Sequence, residues 1–247
     1  MPQLRHMTAT RLNDRAVIRL APREGGEDVA AFLQGLLTND VTKPSPVYAA
    51  LLTPQGKTMY DMFVWMREDG DVLLDCEAEH AGDLAKRLSL YRLRRPIDIA
   101  VDEAMAVHWS ADTMEGASAD PRLPALGYRW IDQAQDDEAG ADDAYLAHRL
   151  SLGVPEGRAE MADILWLETN AVELNGVAFD KGCYIGQENT ARMNWRSKVN
   201  RRLVVVPLER SDEKRRKFAY EGLGLAVDHL RVADIDAELV PAWLDLS

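Results

Sequence analysis

Apolar positions recur along this chain in two rhythms, one of period two and one of helical spacing. A short, partly β-branched run over residues 16–20 reads as a strand. Gly25 and Gly26 mark a turn. Val29, Phe32, Leu33, Leu36 and Leu37 then follow at helical spacing, predicting an amphipathic helix that ends at Thr38-Asn39-Asp40. Residues 48–53 and 59–66 read as strands around the turn Pro54-Gln55-Gly56, with Tyr60, Met62, Val64 and Met66 on one face. Asp69-Gly70 is a hairpin signal, and residues 72–75 continue the meander. Leu84, Leu88 and Tyr91 stripe a helix over residues 80–91. Strands follow at 97–101 and 105–109, beyond Pro96. A helix over 145–152 is stopped by Gly153 and Pro155. Residues 203–207 and 223–227 are apolar segments on either side of a mixed charge run over 209–217. Strands and helices alternate irregularly, which predicts an α+β fold rather than a doubly wound parallel sheet. The pattern divides into a main unit, residues 1–200, and a short C-terminal β segment, residues 201–247, too small to expect an independent core.

Composition changes this picture in a few places. The stretch 132–143 holds six acidic residues and no basic one, and reads as a solvated loop. The net charge of −12 opposes tight non-specific nucleic-acid binding, which depends on phosphate neutralisation by Lys and Arg. No apolar run approaches the roughly 18 residues of a membrane span, and the first residues hold no apolar signal-peptide core. The reading is therefore a cytoplasmic protein with no membrane attachment. There are two cysteines, Cys76 and Cys183, and no Cys-x-x-Cys. They cannot build a disulfide framework or supply the usual four thiolates of an iron–sulfur cluster. Cys76 lies in a strand and reads as core. The five histidines show no metal-ligand spacing, so no permanently bound metal is expected.

The chemistry concentrates in residues 175–202. Gly182 and Gly186 bracket Cys183, and the residues after Gly186 read as helix, which places the cysteine just before a helix N-terminus. A helix N-terminus and an ammonium both favour a thiolate, and Lys181, two residues away, is the candidate ammonium. Gln187 and Glu188 open the helix, where an acidic side chain is favoured electrostatically. Arg192, Arg196, Lys198, Arg201 and Arg202 follow with Trp195 among them. This is either an anion site for a folate tail, a phosphate or RNA, or a solvated face balancing the acidic remainder. Asp40 either binds a ligand amine or caps its turn.

Lys-Gly-Cys-Tyr-Ile-Gly-Gln-Glu at 181–188 resembles the signature of the YgfZ family. That family belongs to the folate-binding superfamily of the glycine-cleavage T-protein and includes mitochondrial iron–sulfur assembly factors. Three further stretches match in order: Phe32-Leu33-Gln34-Gly35 with Thr38-Asn39-Asp40, Leu52-Thr53-Pro54-Gln55-Gly56-Lys57, and Thr169-Asn170 with Leu174-Asn175-Gly176-Val177. The resemblance covers about residues 10–205. It implies a T-protein-like fold of α+β subdomains around a central, folate-sized channel, ending in a shortened β-barrel segment. It implies tetrahydrofolate or a derivative as cofactor, and iron–sulfur client or assembly proteins as partners, a tRNA-modifying enzyme among the clients. Cys183 and Lys181 would then carry the chemistry, with Tyr145, Asn170, Asp40, Gln187, Glu188 and Arg192 toward the folate. Arg15 stands where the family often has a pocket aromatic. The resulting expectation is an accessory factor acting through Cys183. A folate-dependent aminomethyl or one-carbon transferase using Asp40 is the alternative, and an RNA-binding accessory protein using residues 192–202 the second alternative.

Overall fold

The computed structural model describes residues 9–23, 26–196 and 199–246. Its centre is a five-stranded antiparallel sheet in the order β2-β3-β4-β1-β5, built from β1 (Arg15–Pro22), β2 (Val47–Leu52), β3 (Thr58–Met66), β4 (Val72–Glu77) and β5 (Ile97–Val101). Two helices, α1 (Val29–Gln34) and α2 (Ala81–Arg92), cover one face. Period-two alternation sorts each strand between two cores. In β2, Val47, Ala49 and Leu51 pack under the helices, while Tyr48, Ala50 and Leu52 point to the opposite side. Both sets are buried, so the strand reads as continuously apolar rather than alternating.

The other face of this sheet carries charge. Arg15 and Val17 of β1, Leu73, Asp75 and Glu77 of β4, and Asp61 and Phe63 of β3 share the side opposite α1 and α2. A three-stranded antiparallel sheet, β6 (Met105–Ser110), β8 (Tyr128–Gln133) and β7 (Ser118–Ala119), joins at this level through the amide of Leu12, which donates to the Val107 carbonyl at 2.9 Å. Helix α3 (Asp142–Ser151) and the short α4 (Arg158–Met161) follow. The loop holding Cys183 then leads into α5 (Gln187–Arg196). The C-terminal segment forms a three-stranded antiparallel sheet of β9 (Arg201–Pro207), β10 (Arg216–Tyr220) and β11 (Leu225–Arg231), in the order β10-β11-β9. Every strand pair among the described residues is antiparallel, which suits an α+β chain.

Two expectations change. The helix predicted through Leu37 stops at Gln34, where Gly35 caps it. Leu36 and Leu37 still reach the same core from the following turn, so helical spacing correctly named the buried face. The acidic stretch 132–143 is not simply solvated. Asp132 belongs to β8, and Asp142 opens α3 while accepting from Asn13 Nδ2 at 2.9 Å and from the Asp14 amide at 2.8 Å. Acidic side chains in a first helical turn face unpaired amides, which favours them there. Lys198 lies outside the described residues. Among those residues, no helix is long and apolar enough to cross a membrane.

Candidate functional site

The stretches that match far apart in sequence meet around Cys183. Lys181 donates from Nζ to the carbonyls of Leu37 at 2.6 Å and Asn39 at 2.7 Å. Asn39 Nδ2 donates to the Asn175 carbonyl at 2.6 Å and to the Tyr48 carbonyl at 2.9 Å. Thr38 donates from Oγ1 to the Gly176 carbonyl at 2.7 Å, and its own carbonyl accepts from the Ala178 amide at 3.1 Å. The turn after α1 is thereby stitched to the lead-in of the cysteine loop. On the other side, Asn189 Nδ2 donates to the Gln55 carbonyl at 2.8 Å, fastening α5 to the β2–β3 turn. Between these fastenings the Cys183 side chain is exposed.

Gly186 makes the second fastening possible. Its φ is +82°, and a Cβ there would meet the Thr53 carbonyl oxygen at 2.6 Å and Gly56 Cα at 3.0 Å. Gly186→Ala therefore forces both an unfavourable dihedral and a backbone clash. We expect it to lower stability by about 1–3 kcal/mol and to slacken the loop. Chemical denaturation and the alkylation rate of Cys183 measure the two effects.

Lys181 does not have the setting expected of a cation free to serve the thiol. Its ammonium is committed to two carbonyls and sits 5.2 Å from the Tyr184 ring centroid. Burial lowers its pKa to about 8, against the pull of nearby Asp40. Asp40 is a turn residue: its Oδ1 accepts from Gln34 Nε2 and from the Thr42 amide and hydroxyl, and the Thr42 bonds hold its pKa below the usual value. Glu188 is exposed and pairs with Arg192 at 3.1 Å along α5, with Gln187 half-buried beside it. Asn170 is elsewhere. It adopts φ +67° and donates to the Leu203 carbonyl at 2.9 Å, tying the main unit to β9. The basic cluster is not one patch either, because Arg202 is buried and paired with Glu173 at 2.8 Å. Trp195 stays 75% exposed on α5.

Tyr145 and Arg15, which the sequence reading placed in one pocket, belong to a second, deeper region whose buried charge network that reading did not foresee. Three arginines cross the charged face of the central sheet. Arg15 donates to Asp75 at 2.6 Å, and Arg129 reaches the other Asp75 oxygen at 2.7 Å. Arg122 pairs with Asp120 at 2.7 Å and Glu156 at 2.6 Å. The Tyr145 hydroxyl donates to Glu156 at 2.5 Å and accepts from Arg122 at 2.8 Å. Aromatic faces line the guanidinium groups, with Arg129 4.1 Å and Arg122 4.7 Å from the Phe63 centroid. Burial opposes the charge on Arg15, yet Asp75 and Glu156 overcome it and hold its pKa well above the ordinary value. Burial also disfavours ionised Glu156, but Arg122, Arg15 and Arg129 hold it well below the usual carboxylate range. Burial pushes the Tyr145 phenol up to about 12. One signal in the sequence points here: Asp75 interrupts the apolar run from Val72 to Cys76 in β4.

A cavity of about 350 Å³ opens beside this network, lined among others by Arg15, Glu77, Tyr145, Arg149, Phe218 and Tyr220. Its fit to a folate is divided. Aromatic rings and the Glu77 carboxylate suit the pterin, whose aminopyrimidine edge donates hydrogen bonds. The dianionic glutamate tail is opposed, because Asp14, Glu79 and Asp142 also line the cavity and its arginines are already paired with Asp75 and Glu160. Cys183 does not line this cavity.

No family model matches the chain. The iron–sulfur cluster assembly factor IBA57 of Homo sapiens, a mitochondrial protein, is 35% identical over 236 residues, covering 79% of this chain and 65% of the relative. The Mus musculus protein of the same name is 32% identical over 245 residues, covering 82% and 66%. The chain thus spans just under two thirds of the length of these relatives. Their mitochondrial setting overturns the cytoplasmic expectation. That expectation rested on a missing apolar segment, whereas mitochondrial targeting uses amphipathic, arginine-rich sequence instead. Among solved structures, the glycine cleavage system aminomethyltransferase T of Bartonella henselae superposes with a TM-score of 0.65 at 11% identity, covering 92% of this chain and 79% of that one. The chain is therefore a sequence relative of mitochondrial iron–sulfur cluster assembly factors, built on the fold of the glycine-cleavage T-protein.

Proposed function

We propose that the protein is a YgfZ-type assembly factor in which Cys183 is the working group. The observation that carries this reading is one exposed thiol at the apex of a loop fastened on both sides by the stretches that resemble that family. The similarity to IBA57 supplies the chemical context. In that role Cys183 gives up its proton to solvent and binds an iron of a cluster carried by a partner, which contributes the remaining ligands. When the cluster moves on, the sulfur is released and reprotonated. Iron–sulfur enzymes, a tRNA-modifying one among them, are the proposed clients.

Cys183→Ala tests this directly. The side chain is exposed, so the variant is expected to keep the parent melting temperature. In cells lacking their own factor, it is expected to leave iron–sulfur enzyme activities at the level of the deletion. Full restoration by the variant would overturn the reading.

A further inference from the structure

A basic and apolar corner lies at the far edge of the central sheet from Cys183. Between Asp83 and Asp98 the sequence holds five basic residues, Lys86, Arg87, Arg92, Arg94 and Arg95, and no acidic one, in a chain of net charge −12. Arg92 turns inward, donating to the Ile97 carbonyl at 2.6 Å, and Arg95 pairs with Glu27 at 3.0 Å. Lys86, Arg87 and Arg94 are exposed and have no ion-pair partner among the described residues. Set among them are Leu90, 64% exposed, and Leu93, 84% exposed. Lys86 and Arg87 precede Leu90 on α2 by four and three residues, the spacing that puts side chains on one helix face. Leu93 ends the helix at φ +55°, a conformation that Gly or Asn takes most readily. A leucine there gains little from packing and bears an unfavourable dihedral, so the fold itself does not account for it.

Two protruding leucines ringed by cations on long aliphatic stems suit a lipid interface, where acyl chains take the leucines and phosphates take the charges. A protein interface is more often poor in Lys and anchored by aromatic residues seated in pockets. We propose that this corner docks on a bilayer surface rich in anionic phospholipid. Leu90 and Leu93 enter the headgroup region, and Lys86, Arg87 and Arg94 contact the phosphates. The expectation of no membrane attachment rested on the lack of a long apolar run, which does not bear on peripheral contact. Net charge does not forbid it either. Repulsion from remote acidic groups is screened over about 8 Å in physiological salt, whereas the three cations stand at the contact itself. The corner leads into β5, the edge strand opposite β2, and the turn after β2 holds α5 through Asn189. Four strand spacings, about 19 Å, separate the two edges, so docking here leaves Cys183 open to a partner.

Co-sedimentation of the whole chain with large vesicles tests this, using phosphatidylcholine alone and phosphatidylcholine mixed with phosphatidylserine. Two variants accompany it. One combines Leu90→Ser with Leu93→Gly, and the other combines Lys86→Gln, Arg87→Gln and Arg94→Gln. All five side chains are exposed, so both variants are expected to keep the fold, which thermal melting checks. The expected result is binding to the mixed vesicles that weakens with added salt and is at least about tenfold weaker on phosphatidylcholine alone. The leucine variant is expected to bind the mixed vesicles at least about tenfold more weakly than the parent. For the triple variant the expected loss is about a hundredfold. No binding to the mixed vesicles, equal binding to both kinds, or undiminished binding by either variant would overturn the proposal. If the parent ignores vesicles while the triple variant fails to restore iron–sulfur enzyme activities in cells, the corner belongs to an acidic protein surface and the lipid assignment falls. Cys183 is untouched throughout, so these outcomes leave the assembly reading to its own test.

Discussion

Asp75→Ala is expected to destabilise the protein by about 3–5 kcal/mol, a large fraction of the roughly 5–15 kcal/mol that holds an ordinary domain together. Asp75 is fully buried and receives one guanidinium on each carboxylate oxygen, Arg15 at 2.6 Å and Arg129 at 2.7 Å. Removing it leaves two buried cations short of a counter-charge. The remaining carboxylates, Asp120 and Glu156, are already shared with Arg122. The penalty is mostly desolvated charge rather than lost packing, so Asp75→Asn, which keeps the volume, is expected to cost nearly as much. Urea denaturation of both variants measures it. An Asn variant within about 1 kcal/mol of the parent would show that the arginines find other partners.

The second large effect is a pH dependence centred on Asp61. Burial, reinforced by Glu77 and Glu156, raises its pKa to about 7, against about 3.9 in an unfolded chain. The folded state therefore holds a proton that the unfolded state has released. Asp61 contributes stability that is full below about pH 4 and declines as pH rises through about 7, by as much as about 4 kcal/mol. Other carboxylates act in the opposite sense in acid. Glu156, held low by its arginines, contributes stability that is lost as pH falls. The diagnostic is thus a comparison with Asp61→Asn, which cannot ionise. The variant is expected to match the parent near pH 4, to gain on it as pH rises from about 4 to about 7, and to hold that difference above pH 7. A difference independent of pH would show that Asp61 is ionised throughout.

Much of the architecture was legible because apolar spacing reports burial. The strands β1 to β6 and the helix at Ala81–Arg92 follow from period two and helical spacing to within a few residues. Strand β8 was not legible. Its Asp132 and Gln133 fall in the acidic stretch read as a solvated loop, and its Arg129 is fully buried because its charge is matched by Asp75 and Asp120. Charged residues such as Asp120, Arg129 and Glu156 are ordinarily exposed, and nothing in their local sequence marks them as buried. Only tertiary structure, which joins Arg15 to a residue 141 positions later, supplies the partners that make burial tolerable. The Cys183 region was legible through family likeness, but what its lysine does was not. Proximity in sequence suggested a neighbour for the thiol, and the structure turns that side chain toward the carbonyls of Leu37 and Asn39.

The strap around Cys183 is pinned at both ends before any partner arrives, by Lys181 upstream and by Asn189 downstream. In the role proposed for Cys183, the sulfur would meet an incoming protein as a fixed post rather than a swinging arm. Association then forfeits little chain freedom at this spot. In that proposed role, loosening either pin is expected to shorten the lifetime of the complex more than it lowers the rate of encounter.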